Sequence, residues 1–186
     1  MIKEEFKVYL DSLNYDKYWQ DIEYIDFIGR SRSYQTWELM RDMYNWKGKQ
    51  VVDIGCFHGY YCFKAEQLGA IVMGLDRSPE ILTTANILKK EYNSSVDFKL
   101  WNAGFMVPGY FDIALLMVIS YGLPNAEETI KNINCKNVLF DVADYELPLI
   151  EKYYHIIEKK AVINRESTSG NWSIILGERK SNSLSE

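Results

Sequence analysis

Two acids and two glycines carry the most legible chemistry in this chain. In Val51-Val52-Asp53-Ile54-Gly55-Cys56-Phe57-His58-Gly59-Tyr60 an apolar run passes into a glycine turn and then into a helical stretch. Glycines at a strand-to-helix turn remove Cβ atoms where a ligand's backbone or sugar has to come close. The next apolar run ends in Gly74-Leu75-Asp76, one β-α-β unit after Asp53. A carboxylate at that strand tip can accept two hydrogen bonds from the cis hydroxyls of a ribose. The combination predicts a nucleotide-type site.

The glycine spacing narrows the ligand. A dinucleotide turn reads G-x-G-x-x-G, tight enough to seat a pyrophosphate at the helix N-terminus. Here Gly55 and Gly59 are separated by Cys56, Phe57 and His58, and the charge of Asp53 just before the turn opposes a pyrophosphate. A cationic ligand with a ribose and no phosphate suits the turn, and S-adenosylmethionine, with its sulfonium and ammonium groups, is one. His58 in the turn reads as a hydrogen-bonded positioning residue ahead of a base. Asn102 reads equally as a partner for the adenine edge or as the closer of an Asx turn, and Met117 as cofactor packing or plain core.

The elements that must position these residues follow from apolar patterning. Short runs at Val51–Ile54, Ile71–Leu75, Val96–Leu100, Ile113–Ile119, Val138–Val142 and Trp172–Leu176 read as strands, with another around Ile156–Ile163. Helical stretches lie between the first five. The clearest is Pro79–Tyr92, with Ser78 as N-cap and Pro79 at the first helical position. A further helix starts at Leu147, and the turn-rich Ser167–Asn171 joins an antiparallel pair. The pattern predicts an α/β fold: a doubly wound, mostly parallel, seven-stranded sheet ending in an antiparallel hairpin. Residues 1–46 are dense in aromatics and helical in spacing (Phe6, Tyr9, Leu10, Leu13; Trp37, Met40, Met43, Tyr44) and read as a helical extension or lid. Residues 47–180 form the ligand-binding domain and 181–186 a disordered tail.

Composition excludes several classes. At 186 residues the chain is one domain, and 21 basic against 26 acidic residues give a net charge of −5. That leaves no global footprint for DNA and disfavours RNA, although a local basic patch could serve it. No apolar run approaches the roughly 20 residues of a membrane helix. Met1-Ile2-Lys3-Glu4-Glu5 does not open a secretory signal, which points to the cytoplasm. Cys56, Cys62 and Cys135 form no C-x-x-C pair and read as reduced thiols. No metal site is expected; Asp141 and Asp144, after the fifth strand, read as loop acids.

At these residues the chain resembles the class I, Rossmann-like S-adenosylmethionine-dependent methyltransferases, over roughly residues 45–180. The D-x-G-x-x-x-G motif falls on Asp53, Gly55 and Gly59, the second-strand acid on Asp76, and the third-strand exit on Trp101-Asn102-Ala103. Phe111-Asp112-Ile113-Ala114 through Tyr121-Gly122-Leu123 resembles the family's fourth strand and its exit, with Gly122 where many members carry a histidine. The stretch Trp46–Tyr60, preceded by a helix bearing arginine and tryptophan, is similar to the tRNA wobble-uridine carboxymethyltransferases.

The resemblance implies S-adenosylmethionine contacts from Asp53, Gly55, Cys56, His58, Gly59 and Tyr60 in the turn. It adds Asp76 and Arg77 at the second strand, Asn102 and Ala103 at the third, and Met117 on the fourth. Arg30, Arg32 and Trp37 are expected to bind an acceptor or cofactor carrying a carboxylate or phosphate. Where the acceptor must lose a proton, His58, Tyr121 and Tyr34 are the first bases to test. Neither the Asn/Asp-Pro-Pro-Tyr/Phe tetrapeptide of amino-methylating nucleic-acid enzymes nor the Pro-Cys of cytosine C5 enzymes occurs. The expectation is therefore in-line methyl transfer to a small-molecule acceptor. The alternatives are an RNA (tRNA) acceptor, or a non-catalytic cofactor-binding protein or partner subunit. Oligomeric state is open.

Overall fold

The computed structural model of the protein describes residues 1–14, 16, 18–117, 125–162 and 171–181. Seven strands form one sheet: β1 (Gln50–Ile54), β2 (Ile71–Asp76), β3 (Asp97–Leu100), β4 (Phe111–Met117), β5 (Cys135–Ala143), β6 (Tyr154–Val162) and β7 (Trp172–Arg179). Their order is β3-β2-β1-β4-β5-β7-β6. The first five strands pair in parallel, and β7 lies antiparallel between β5 and β6. The direction of winding reverses between β1 and β4, so a crevice opens at the C-terminal ends of these central strands. The predicted fold class is the observed one. Ser167–Gly170 lies outside the described residues, as do Val118 and Ile119 at the end of the predicted fourth strand.

The helices among the described residues are α1 (Lys3–Asp11), α2 (Ser33–Met40), α3 (Tyr60–Gln67), α4 (Pro79–Glu91), α5 (Ala126–Asn132) and α6 (Leu147–Tyr153). α4 begins where the sequence places it: Ser78 Oγ accepts from the N–H of Ile81 at 3.2 Å, with Pro79 in the first turn.

Strand alternation distributes the core between two faces. Val51, Ile113, Leu115, Leu139 and Ile174 pack with helices α1 to α4, and Val52, Ile54, Leu116, Phe140 and Ile175 pack with α5 and α6. Asp53, two residues after Val51, therefore faces the α1–α4 side. So does Met117, which packs against that cluster.

The first 46 residues share this core. Phe6, Leu10, Met40 and Trp46 are buried in the same cluster as Val51 and Leu115. Trp37, expected at an acceptor pocket, is buried there too, with its ring centroid 5.2 Å from that of Trp46. Between α1 and α2 the chain forms a small hairpin closed by an Ile22–Phe27 antiparallel bridge, an extended feature that the aromatic pattern conceals. Asp21 organises it. Its Oδ1 accepts from the N–H of Gly29 and its Oδ2 from that of Tyr34, at 2.5 and 2.7 Å. The second bond caps α2 from outside the helix, a task that the left-handed Arg32 at the N-cap position does not perform.

Candidate functional site

The site begins at the C-terminal end of β1. Asp53 is 1% exposed, and its Oδ2 accepts a hydrogen bond from Cys62 Sγ, in the first turn of α3, at 3.3 Å. Its Oδ1 is buried with no hydrogen-bond partner among the described residues. Burial pushes the carboxyl pKa up to about 7, the Cys62 hydrogen bond opposes this, and the nearby Asp76 charge adds to it. A buried acceptor of this kind is costly unless something fills its lone pairs. A cation presented to Oδ1 would do so and would return the group to its charged form.

The two glycines of the turn serve different purposes. Gly55, at φ +75°, is exposed, and a Cβ built there would meet nothing within 4 Å, so its flank is open space. Gly59, at φ +86°, is buried, and its Cβ would lie 2.5 Å from the ring of Phe98 on β3. Gly74 on β2 repeats the relation, at 2.6 Å from the same ring. The expectation that both turn glycines clear room for a ligand is thus corrected at Gly59: a side chain of the protein takes that room.

Asp76 joins the turn to α4. It is 8% exposed; Oδ2 accepts from the N–H of Phe57 at 3.1 Å and Oδ1 from that of Ser78 at 3.0 Å. Burial raises its pKa against the pull of those bonds. An ionised carboxylate has about four acceptor positions, so Asp76 keeps acceptor capacity for a ribose beyond its backbone donors, which include the neighbouring Arg77 N–H.

The remaining predicted residues separate. Cys56 and Tyr60 turn inward and are buried, and the N–H of Tyr60, at the start of α3, is taken by Gln20 Oε1 at 3.3 Å. His58 is also buried, its ring tilted by 31° against that of Phe57 at a centroid distance of 4.1 Å, and burial drives its pKa down to about 3. A neutral imidazole of that acidity is a poor base, which counts against the catalytic part of its expected role. Arg77, Asn102, Arg30 and Arg32 are exposed, and Ala103 is half-buried. Asn102 closes a turn through its carbonyl, which accepts from the N–H of Phe105 at 3.4 Å. Arg30 is paired with Asp16. Tyr34 is 42% exposed on α2, its hydroxyl accepting from Gln35. Asp141 is fully buried on β5, and Asp144 is exposed and pairs with Lys159. Tyr121 lies outside the described residues.

Three participants escaped the sequence reading: Gln20 and Asp21, which tie the N-terminal hairpin to α3 and α2, and Cys62, the partner of Asp53. The position of Cys62 on the same β-α-β unit was the one local signal; the hairpin contacts had none.

A sheet with β7 reversed between β5 and β6, and an acid-flanked glycine turn at its switch point, define a class I, Rossmann-like methyltransferase. The chain belongs to the methyltransferase domain family, whose model matches residues 45–171. It is similar to a ubiquinone biosynthesis O-methyltransferase of Pseudomonas aeruginosa, with 30% identity over 148 residues, 68% of this chain and 62% of that protein. It is also similar to a tRNA U34 carboxymethyltransferase of Sulfurimonas denitrificans, with 33% identity over 78 residues, 41% of this chain and 26% of that one. The chain thus spans about 62% of the length of the first of these relatives. Among solved structures, a protein of Pyrococcus horikoshii OT3 superposes with a TM-score of 0.70 at 18% identity, covering 93% of this chain and 99% of that one.

Proposed function

We propose that the protein is an S-adenosylmethionine-dependent methyltransferase acting on a small-molecule acceptor. The observation that carries the reading is the orphaned, buried Oδ1 of Asp53 at the end of β1, two residues before the open flank of Gly55. When bound, S-adenosylmethionine supplies a methyl group on a positively charged sulfur, a leaving group that needs no acid assistance. In this proposal Asp53 accepts the ligand's cationic end, Asp76 accepts the ribose hydroxyls, and the chain at Gly55 passes close against the ligand because no Cβ intervenes. Met117, and the Asn102 and Ala103 backbone at the exit of β3, bound the adenine side.

With charge leaving sulfur during transfer, the protein's contribution is alignment and exclusion of water. The N-terminal hairpin serves as the lid: Gln20 reaches the first residue of α3, and Asp21 holds α2 in place. Arg30 and Arg32 offer guanidinium groups to an acidic acceptor. Where a hydroxyl must lose its proton, Tyr34 and Tyr121 rank ahead of His58. The ubiquinone-pathway relatives and the net charge of −5 favour a small acceptor. The similarity to a tRNA U34 carboxymethyltransferase supports a second reading, in which the acceptor is tRNA. The three cysteines, all free and buried, fit a cytoplasmic setting.

Calorimetric titration with S-adenosylmethionine, S-adenosylhomocysteine and NAD tests the cofactor. Selective binding of the first two is expected, and binding of NAD alone would overturn the proposal. A product assay on a panel of metabolites and tRNA then separates the two acceptor classes.

A further inference from the structure

Two buried carboxylate oxygens have no hydrogen-bond partner among the described residues, and both stand at or just past the C-terminal end of a parallel strand. One is Oδ1 of Asp53. The other is Oε1 of Glu146, in the single helical turn Asp144–Glu146 that follows β5. Glu146 is 6% exposed, and its Oε2 accepts from the N–H of Ala143 at 2.7 Å. A buried acceptor left open in this way is costly until a donor fills its lone pairs.

Backbone geometry fixes where that carboxylate stands. Asp144 donates its N–H to the carbonyl of Asn171 at 3.0 Å, on the β7 side of β5. Successive N–H groups of a strand point to opposite sides, so that of Ala143 points toward β4. The last pair in the β4–β5 register is Met117–Asp141, and Ala143 lies two residues beyond it. The carboxylate that takes the Ala143 N–H is therefore held beyond the end of β4, at the crevice of the switch point.

Strand order turns this position into a role. The proposed cofactor has its adenine at the exit of β3, its ribose at Asp76 on β2 and its cationic end at Asp53 on β1, so it runs across the sheet toward β4. Its methyl group is then delivered on the β4–β5 side, where Glu146 stands. β1 and β5 are two strand spacings apart, about 10 Å, which leaves room between the two acids for a sulfonium and the atom it methylates.

We infer that Glu146 is the acceptor-side acid: its Oε1 accepts a hydrogen bond from a hydroxyl of the methyl acceptor and takes the proton during transfer. The inference rests on the proposed cofactor reading. The bond from the hydroxyl oxygen to the methyl carbon forms as the carbon–sulfur bond breaks. The electron pair of the broken bond stays on sulfur, which becomes neutral, and the hydroxyl proton ends on Oε1. A carboxylate suits this task better than Tyr34 or Tyr121, because a tyrosine hydroxyl has to shed its own proton first. The acid also narrows the acceptor, which must present a donor at the point of transfer and hold any carboxylate of its own away from Glu146.

The test compares Glu146→Gln and Glu146→Ala with the wild type. Glutamine keeps an oxygen for the Ala143 N–H but cannot take up the proton, while alanine gives up both functions and should melt below the other two. Binding of S-adenosylhomocysteine is measured by calorimetry. Turnover of S-adenosylmethionine is followed from pH 5.5 to 9 with 4-hydroxybenzoate, 3,4-dihydroxybenzoate and glycerol as hydroxyl probes. Glu146→Gln should bind S-adenosylhomocysteine within twofold of the wild type, lose about a hundredfold or more in kcat/KM, and lose the acid limb of the pH profile. Unchanged kcat/KM and pH profile in Glu146→Gln would overturn the inference and leave water as the partner of Oε1. So would a loss of S-adenosylhomocysteine affinity as large as the loss of turnover, which would move Glu146 to the cofactor side. A wild type that binds S-adenosylhomocysteine yet methylates none of the three probes would overturn the inference with the cofactor reading intact. One that does not bind S-adenosylhomocysteine would overturn both.

Discussion

Cys62 Sγ donates to Asp53 Oδ2 across 3.3 Å in the buried contact between α3 and β1. The acid is therefore tied from behind, through one oxygen, while the other is left for whatever enters the turn. A thiol is a weak donor, so this tether orients the carboxylate without satisfying it. Cys62→Ala removes the one bond that favours the ionised form. The expected result is an upward move in the pH at which ligand affinity reaches its plateau, with Cys62→Ser restoring the wild-type profile. Titrations with S-adenosylhomocysteine from pH 5.5 to 9 check it.

Asp53 itself should make stability fall as pH rises. Its folded pKa of about 7 exceeds the ordinary value of 3.8, so the folded state holds a proton that the unfolded chain gives up. The stabilising difference is complete below pH 3.8 and is lost progressively as pH climbs through about 7. Asp53→Asn, neutral throughout, should melt above the wild type at pH 8 and approach it at pH 5. A cationic ligand reverses the preference: binding at pH 6 to 7 should release a proton, visible as a calorimetric heat that depends on the buffer's ionisation enthalpy.

Asp76→Ala should act on two levels. Loss of charge-assisted bonds to ribose hydroxyls should weaken S-adenosylhomocysteine by about 1–3 kcal/mol. Loss of its two backbone bonds should also lower the melting temperature. Asp76→Asn, which keeps an acceptor oxygen, should recover part of the stability and little of the affinity.

Asp21→Ala should release the N-terminal hairpin. Two N–H groups lose their acceptor, one of them at the N-terminus of α2, at a cost of about 1–2 kcal/mol. Denaturant melts give the stability. Limited proteolysis should show new cleavage between α1 and α2 before the sheet is cut.

Gly74→Ala should destabilise by about 1–3 kcal/mol, since the added methyl would stand 2.6 Å from the Phe98 ring in a packed interior. Phe98→Leu should offset much of the loss in the double variant. Equal destabilisation with either residue at 98 would show that the ring is not the obstacle.

The sheet was legible because its central strands are short, apolar and punctuated, so that Val51–Ile54 and Ile71–Leu75 need no tertiary information. β6 was harder to read because charged and apolar residues mix along an edge strand, where Ile157 is exposed and Glu158 half-buried. α5 offers only Thr129 and Ile130 as buried positions, too few for a period to emerge from sequence. In the turn, the β-α-β spacing brings Asp53 and Asp76 within electrostatic reach of one another. The reason for glycine at 59 could not be read locally, because the ring that demands it comes from Phe98, two strands further on. Burial of His58 and Trp37 depends likewise on the N-terminal residues folding back over α3 and the sheet, and residue type does not announce that.

Strand order carries a consequence for synthesis. β7, made last among the strands, must slot between β5 and β6, both already made. Until it arrives, β5 has no neighbour on one side and β6 has no strand partner among the described residues, so the nascent chain carries unsatisfied strand edges until β7 has been made. The N-terminal half of the sheet can assemble early around β1. The other half cannot close before Trp172–Arg179 has been made. A premature stop anywhere before Trp172 would therefore yield an aggregation-prone fragment in place of a smaller working domain.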